Sequence, residues 1–202
     1  MPERVQKGQG TMRAFTFENA TKIYFGGGCV KEHLLEAVKP YGETVMLAYG
    51  GGSIKTNGIY QEVMDVLKLA GKQVIEFSGI MPNPTYSKVM EGKKVVQENQ
   101  VDLILAVGGG SVMDCSKAIS MAAATDKDVW EEYWIKKGEI DFEPVPVGVI
   151  VTVVGTGSEV NGEGVITHEE QKIKTSRNYP RCNPVFAMMD PKYTYTVSPL
   201  QT

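Results

Sequence analysis

Between Leu103 and Asp114 the chain reads Leu-Ile-Leu-Ala-Val-Gly-Gly-Gly-Ser-Val-Met-Asp. No other stretch restricts the fold as much. The apolar run 103–107 reads as a buried strand, the three glycines as a tight turn, and the residues from Ser111 as the start of a helix. Such a unit aims backbone N–H groups and the positive helix end at one point, which suits a phosphate. Glycines leave no side chain to hold a ligand away from the backbone. The run is neither GxGxxG nor GxxxxGK[ST], and Lys117 lies too far along the helix to imitate the Walker lysine. Ser111–Asp114 also fits a capping box, in which Asp114 would satisfy an N–H of its own helix.

The rest of the chain repeats this alternation. Strands are predicted at Thr21–Phe25, Thr44–Tyr49, Val74–Phe77, Val147–Val153 and Val185–Met189. Helical spacing links Val30, Leu34, Leu35 and Val38. It recurs at Ile59, Val63, Val66, Leu67 and Ala70, and at Val89, Val95 and Val96. Val165–Thr167 and Lys172–Thr175 read as a β-hairpin, and Trp130, Tyr133 and Trp134 as core anchors in the polar connection 126–146. Strand and helix in alternation predict an α/β fold, Rossmann-like, with a mainly parallel sheet and helices on both faces. In such sheets ligands bind beyond the carboxyl ends of the strands. The glycine turns at Gly50, Gly108 and Gly155 are expected along that edge.

Composition narrows the class. The 202 residues carry 21 basic and 24 acidic side chains, net charge -3, without the basic stripe of a nucleic-acid binder. No apolar run approaches the ~20 residues that span a bilayer, and the polar start Met1–Gly8 has no apolar core of a signal peptide. Three cysteines, Cys29, Cys115 and Cys182, follow no CxxC spacing and point to a reducing, cytoplasmic setting. Residues 1–14 read as a flexible arm. Ser198-Pro199 opens a new helix that stops at Thr202, as if a following helical domain were cut away.

The chemistry is that of binding rather than catalysis. Gly50–Ser53 with Lys55 lies where a dinucleotide fold places an acidic residue on the adenosine ribose, yet no Asp or Glu occurs between Gly50 and Tyr60. An uncharged, hydroxyl-bearing and basic turn accommodates a 2′-phosphate, so NADP is expected ahead of NAD. Thr152, Thr156 and Ser158 surround a third glycine turn and serve either phosphate, the nicotinamide amide, or local ST-turns. Lys174 is a candidate for a ribose or phosphate. His33 and His168 read as surface residues. No His/Cys/Asp set has metal-ligand spacing, and no nucleophile–base set stands out.

Taken together, Tyr-Gly-Gly-Gly-Ser (49–53), Gly-Ile-Met-Pro-Asn-Pro (79–84), Ala-Val-Gly-Gly-Gly-Ser-Val-Met-Asp (106–114), Gly-Thr-Gly-Ser-Glu (155–159) and Asp-Pro-Lys-Tyr-Thr-Tyr-Thr (190–196) resemble the iron-containing (group III) alcohol dehydrogenases. The resemblance is strongest to their NADPH-dependent butanol dehydrogenase/aldehyde reductase branch. It implies a dehydroquinate synthase-like fold, with a dinucleotide domain over 15–197 and 198–202 as the first turn of an all-helical metal domain.

By position, Gly51 and Ser53 would meet the 2′-phosphate, and Asn83 the adenosine or its ribose. Gly109, Gly110 and Ser111 would hold the pyrophosphate, with Asp114 near the nicotinamide side. Thr152, Thr156, Asn161 and Lys174 would line the nicotinamide and its ribose, and Tyr193 the adenine end. The resemblance further implies hydride transfer between NADP(H) and a small alcohol or aldehyde, Fe²⁺ or Zn²⁺ as Lewis acid, and a homodimer. The family's metal ligands, one Asp and three His, begin beyond Thr202. Asp190 belongs to the turn before that helix and is not one of them. The rival expectation is a stand-alone nucleotide-binding module without catalysis.

Overall fold

The computed structural model describes residue 16, residues 18–195 and residue 197. The arm at 1–14 and the helix start at 198–202 lie outside the described residues. In chain order the elements are β1 (Lys22–Phe25), α1 (Cys29–Val38), β2 (Thr44–Tyr49), α2 (Ser53–Thr56), α3 (Ile59–Leu69), β3 (Gln73–Phe77), α4 (Tyr86–Glu98), β4 (Leu103–Gly108), α5 (Gly110–Ala123), β5 (Val147–Val151), β6 (Glu163–His168), β7 (Ile173–Asn178) and β8 (Phe186–Met189). Short turns of π-helix at Trp130–Ile135 and of 3₁₀-helix at Pro180–Cys182 and Pro191–Thr194 complete them.

Six strands form one sheet in the order β1-β8-β5-β4-β2-β3, and every pairing is parallel. Successive side chains of a strand point to opposite faces, and here they sort into two cores. Met46, Ala48, Ile104, Ala106, Val147 and Val149 face α4 and α5, with Val89, Val96, Val112 and Ile119. Val45, Leu47, Leu103, Leu105, Val107 and Ile150 face α1 and α3, with Val30, Leu34, Ile59, Val63 and Leu67. Burial on both faces explains why the central strands are uniformly apolar rather than alternating.

Three local differences from the expected elements have physical causes. The residues after Gly52 coil into the short helix α2, entered through a left-handed Gly52 (φ 104°), a conformation glycine adopts without steric cost. β5 stops at Val151 rather than Val153. Its last partner on β8 is Met188, opposite Ile150, so beyond that point one side has no neighbour and the chain turns away. The capping box is not formed. Gly109 is the N-cap of α5 and makes no side-chain cap, while Asp114 is turned to other partners described below.

The hairpin β6–β7 is a separate antiparallel sheet, extended mainly at its open end, to Glu163 and Asn178, beyond the expected strands. The aromatic anchors hold it in place. Trp134 Nε1 donates to Gly164 O (3.2 Å) and Trp130 Nε1 to Gln171 Oε1 (2.9 Å). His168 is half-buried, stacked on Tyr86 and tilted on Trp130, and His33 stacks on Tyr24.

The hairpin also depends on one close backbone approach. A Cβ on Gly162 would coincide with the carbonyl oxygen of Tyr179, whose N–H donates to Gly162 O (3.2 Å). Gly162→Ala is therefore expected to destabilise the fold by about 1–3 kcal/mol through overpacking. Gly51→Ala, with open space around its Cβ, should stay within about 0.5 kcal/mol. Urea denaturation of the two variants checks the contrast.

Candidate functional site

The register of the central strands lines up the glycine turns. Tyr49 of β2 lies opposite Val107 of β4, and Gly108 opposite Val151 of β5. The turns that follow these strands are therefore level with one another, at adjacent strand spacings of roughly 5 Å. From β2 the chain continues to β3 on one side, whereas from β4 it continues to β5 on the other. The carboxyl ends of β2 and β4 thus flank a topological switch point, where an open α/β sheet leaves a crevice.

At the start of α5 the first N–H groups to find an acceptor in the helix are those of Val112 and Met113, both on Gly109 O (3.0 and 3.2 Å), so those of Gly110 and Ser111 have none there. Packing as well as ligand approach favours glycine at 108–110, most tightly at Gly108 and Gly110. A Cβ on Gly108 would lie 2.6 Å from Val112 Cγ2, and one on Gly110 2.7 Å from Thr156 Cγ2. A Cβ on Gly109 would press on Val153 at 3.2 Å. The loop after β5 thus rests directly on the glycine turn, and Thr152 N donates to Gly108 O (3.0 Å). Thr156 Oγ1 accepts from Ser158 N (3.3 Å), the ST-turn that the sequence leaves as one of its options.

Beside β2, Tyr49, Gly50, Gly51, Gly52, Lys55, Ser78 and Gly79 line an open cavity of about 270 Å³. Gly51 and Ser53 are exposed there. The wall is fastened by Gly79 N to Gly50 O (3.0 Å) and Ile80 N to Tyr49 O (3.3 Å). Asn83, left-handed at φ 55°, accepts from Lys174 Nζ (2.6 Å), which joins two expected site residues across 91 positions. Tyr193 stands apart. It is buried in the α1/α3 core, and burial raises its phenol above the ordinary range.

Two groups escaped the sequence reading. Glu76 on β3 brings a carboxylate to the turn that carries none of its own. Its Oε2 accepts from Tyr49 Oη (2.5 Å) and Lys55 Nζ (3.0 Å), and its Oε1 from Tyr60 Oη (2.6 Å). Glu76 sits one strand away, so a scan limited to the turn cannot find it. Lys117 is the second, fully buried on α5, where helical spacing marks only a core face. Asp114, although 8% exposed, spends both carboxylate oxygens inside the protein, on Ser158 Oγ (2.5 Å) and Val165 N (3.2 Å). Burial pushes its carboxyl above the usual range, against the opposing pull of Ser158 and Lys117.

These features fit a pyridine dinucleotide: free N–H groups at a helix start, side-chain-free turns and an open cavity at the switch point. They do not fit a metal ion. Among the described residues no group of three or more His, Cys, Asp or Glu is placed to hold one. Asp190, 4% exposed, uses its oxygens on Gly28 N (2.6 Å) and Lys192 N (2.9 Å).

A parallel sheet of this order, with glycine turns at its switch point, defines a Rossmann-like α/β domain. The family model for iron-containing alcohol dehydrogenase matches residues 20–191, and the chain belongs to that family. It is 45% identical to the probable NADH-dependent butanol dehydrogenase 1 of Bacillus subtilis over 92% of this chain and 47% of that protein. To the NADPH-dependent aldehyde reductase YqhD of Escherichia coli it is 39% identical, covering 94% and 48% respectively. The crystal structure of NADH-dependent butanol dehydrogenase A from Thermotoga maritima superposes with a TM-score of 0.88 at 39% identity, covering 95% of this chain and 48% of that one. The chain spans about half the length of the curated relatives it matches.

The carboxylate missed by sequence has a measurable consequence. Hydrogen bonds from Tyr49, then Tyr60 and Lys55, pull Glu76 down from 4.5 to about 2. A depressed carboxylate contributes stability that is present above its unfolded pKa and lost as pH falls through the folded one. Thermal stability should therefore decline between about pH 4.5 and about pH 2, and Glu76→Gln should flatten part of that decline. Melting curves across this window measure it.

Proposed function

We propose that this chain is the cofactor-binding part of an NADP(H)-dependent alcohol dehydrogenase/aldehyde reductase, acting on a primary alcohol or aldehyde. The observation that carries the reading is the alignment of three glycine turns at the carboxyl ends of β2, β4 and β5. Gly109, Gly110 and Ser111 would hold the pyrophosphate with the free N–H groups at the start of α5. Gly51 and Ser53 would receive the 2′-phosphate, and Asn83 the adenosine side. Thr152, Thr156, Asn161 and Lys174 would line the nicotinamide half. When bound, the dinucleotide supplies or accepts a hydride. The Fe²⁺ or Zn²⁺ of the family would be held by residues outside those described.

The preference for NADP(H) rests on the turn 50–59, which has hydroxyls and Lys55 but no carboxylate of its own. Glu76 favours NADH as the second reading, because it pairs with Lys55, the cation lining that cavity among the described residues. Two of the relatives named above are NADH-dependent by name and one NADPH-dependent. The burial of all three free cysteines supports a reducing, cytoplasmic setting. Among the described residues β1 is an edge strand, with Ile23 and Phe25 exposed, which supports a homodimer.

Calorimetric titration with both cofactors tests the proposal. NADPH is expected to bind more tightly than NADH, and Ser53→Asp to weaken NADPH by about tenfold or more through like-charge repulsion. Glu76→Gln, which frees Lys55, should shift the ratio further toward NADPH. Tighter binding of NADH by the unmodified chain would overturn the NADP assignment. A chain that binds neither cofactor would leave a fold without dinucleotide function.

A further inference from the structure

The proposed site leaves one buried cation without a role. Lys117 lies on α5, two turns beyond the glycine turn, with its side chain 1% exposed. Its Nζ donates to Ser158 O (2.9 Å), Ser158 Oγ (2.7 Å) and Asn161 O (3.0 Å), with Asn161 Oδ1 at 3.4 Å. Asp114 Oδ1, one turn back, stands 3.9 Å away and accepts from the same Ser158 hydroxyl. A buried ammonium is costly unless paired and hydrogen-bonded. The loop conformation that satisfies Lys117 is therefore strongly preferred over any that leaves it bare.

That loop is the one resting on the glycine turn. Its root is tied by Thr152 N to Gly108 O, and its Thr156 lies against Gly110. Asn161 Oδ1 also accepts from Glu163 N (2.9 Å), which carries the restraint into β6. The wall around Gly50 is fastened separately, by the bonds from Gly79 and Ile80 to β2 and its turn. The two walls are thus fastened at their roots by different groups, and they meet only further out, where Lys174 Nζ donates to Asn83 Oδ1 (2.6 Å) and Thr167 N to Pro84 O (2.9 Å).

We infer that Lys117 is a positioning residue for the nicotinamide half of the dinucleotide, holding the 152–161 loop against the start of α5 through Ser158 and Asn161. The inference rests on the dinucleotide reading above. It requires that loss of the ammonium loosen one end of the site and leave the adenosine and pyrophosphate stations intact. Burial lowers Lys117 to about 8, with Asp114, Glu159, Glu163 and Cys182 as the titratable groups acting on it, and Arg177 of β7 and Tyr179 line the same small cavity. Cys182, whose thiol burial pushes up to about 12, stays neutral there. The positioning charge should then fade as pH rises through about 8.

The test is titration of the intact chain with NADPH and with 2′-phospho-ADP-ribose, which lacks the nicotinamide. Lys117→Met is expected to weaken NADPH about tenfold or more, the scale of charge-assisted hydrogen bonds, and the smaller ligand by less than about twofold. Ser158→Ala keeps the ammonium and its carbonyl partners. It should show the same ligand selectivity at about threefold, and it decides the matter if Lys117→Met does not fold. In the unmodified chain NADPH affinity should fall between about pH 7 and about pH 9 while that of 2′-phospho-ADP-ribose holds, and Lys117→Met should abolish that slope. Equal losses for both ligands, no loss for either, or a slope that survives in Lys117→Met would overturn the inference. An unmodified chain that binds 2′-phospho-ADP-ribose as tightly as NADPH would overturn it too, with the dinucleotide reading intact. Binding of neither ligand, with NADH also failing to bind, would instead remove the dinucleotide reading itself.

Discussion

The parallel registration of β4 between β2 and β5 is the constraint on which the rest of the molecule depends. It brings Tyr49, Val107 and Ile150 to one level, so that three turns far apart in the chain open side by side. It also obliges both faces of the central strands to be covered, because parallel strands must be joined by crossovers that pack on the sheet. The division of Val45, Leu47 and Leu105 from Met46, Ala48 and Ala106 into two cores is the packing expression of that requirement. Site and core therefore share one cause.

Around this frame the polar interior is sparse and directed. Asp114, Lys117 and Ser158 form a compact buried cluster that joins the first half of α5 to the loop after β5. Asp190 ties the turn before α1 to the turn after β8. Glu76 gathers Tyr49, Tyr60 and Lys55 at the other end of the crevice. Each carboxylate connects elements that the sheet alone would leave free to shift. In a crevice lined by turns rather than strands, such fastenings set the shape that a ligand meets.

Much of this could be read from the sequence because the physics involved is local. The apolar runs at 44–49 and 103–107 are strands buried on both faces, and the glycine turns after them could be placed without a structure. The helical spacing at 59–70 and the hairpin around Val165–Thr175 likewise depend on near neighbours. The capping role given to Asp114 failed because a helix-start pattern is blind to Ser158, 44 residues away. The acidic partner of Lys55 escaped for a related reason, since Glu76 arrives on the neighbouring strand 21 residues on.

The sequence by itself determined the alternation of strand and helix, the positions of the glycine turns and the family to which they belong. Spacing and composition act over a few residues, and those features need nothing more. Only the tertiary structure decided which turns lie together, that Gly108 and Gly110 pack too closely for a Cβ, and that Lys117 and Asp114 are interior fastenings. Strand order and burial are properties of residues distant in the chain, and a buried charge shows its purpose only when its partners are in place.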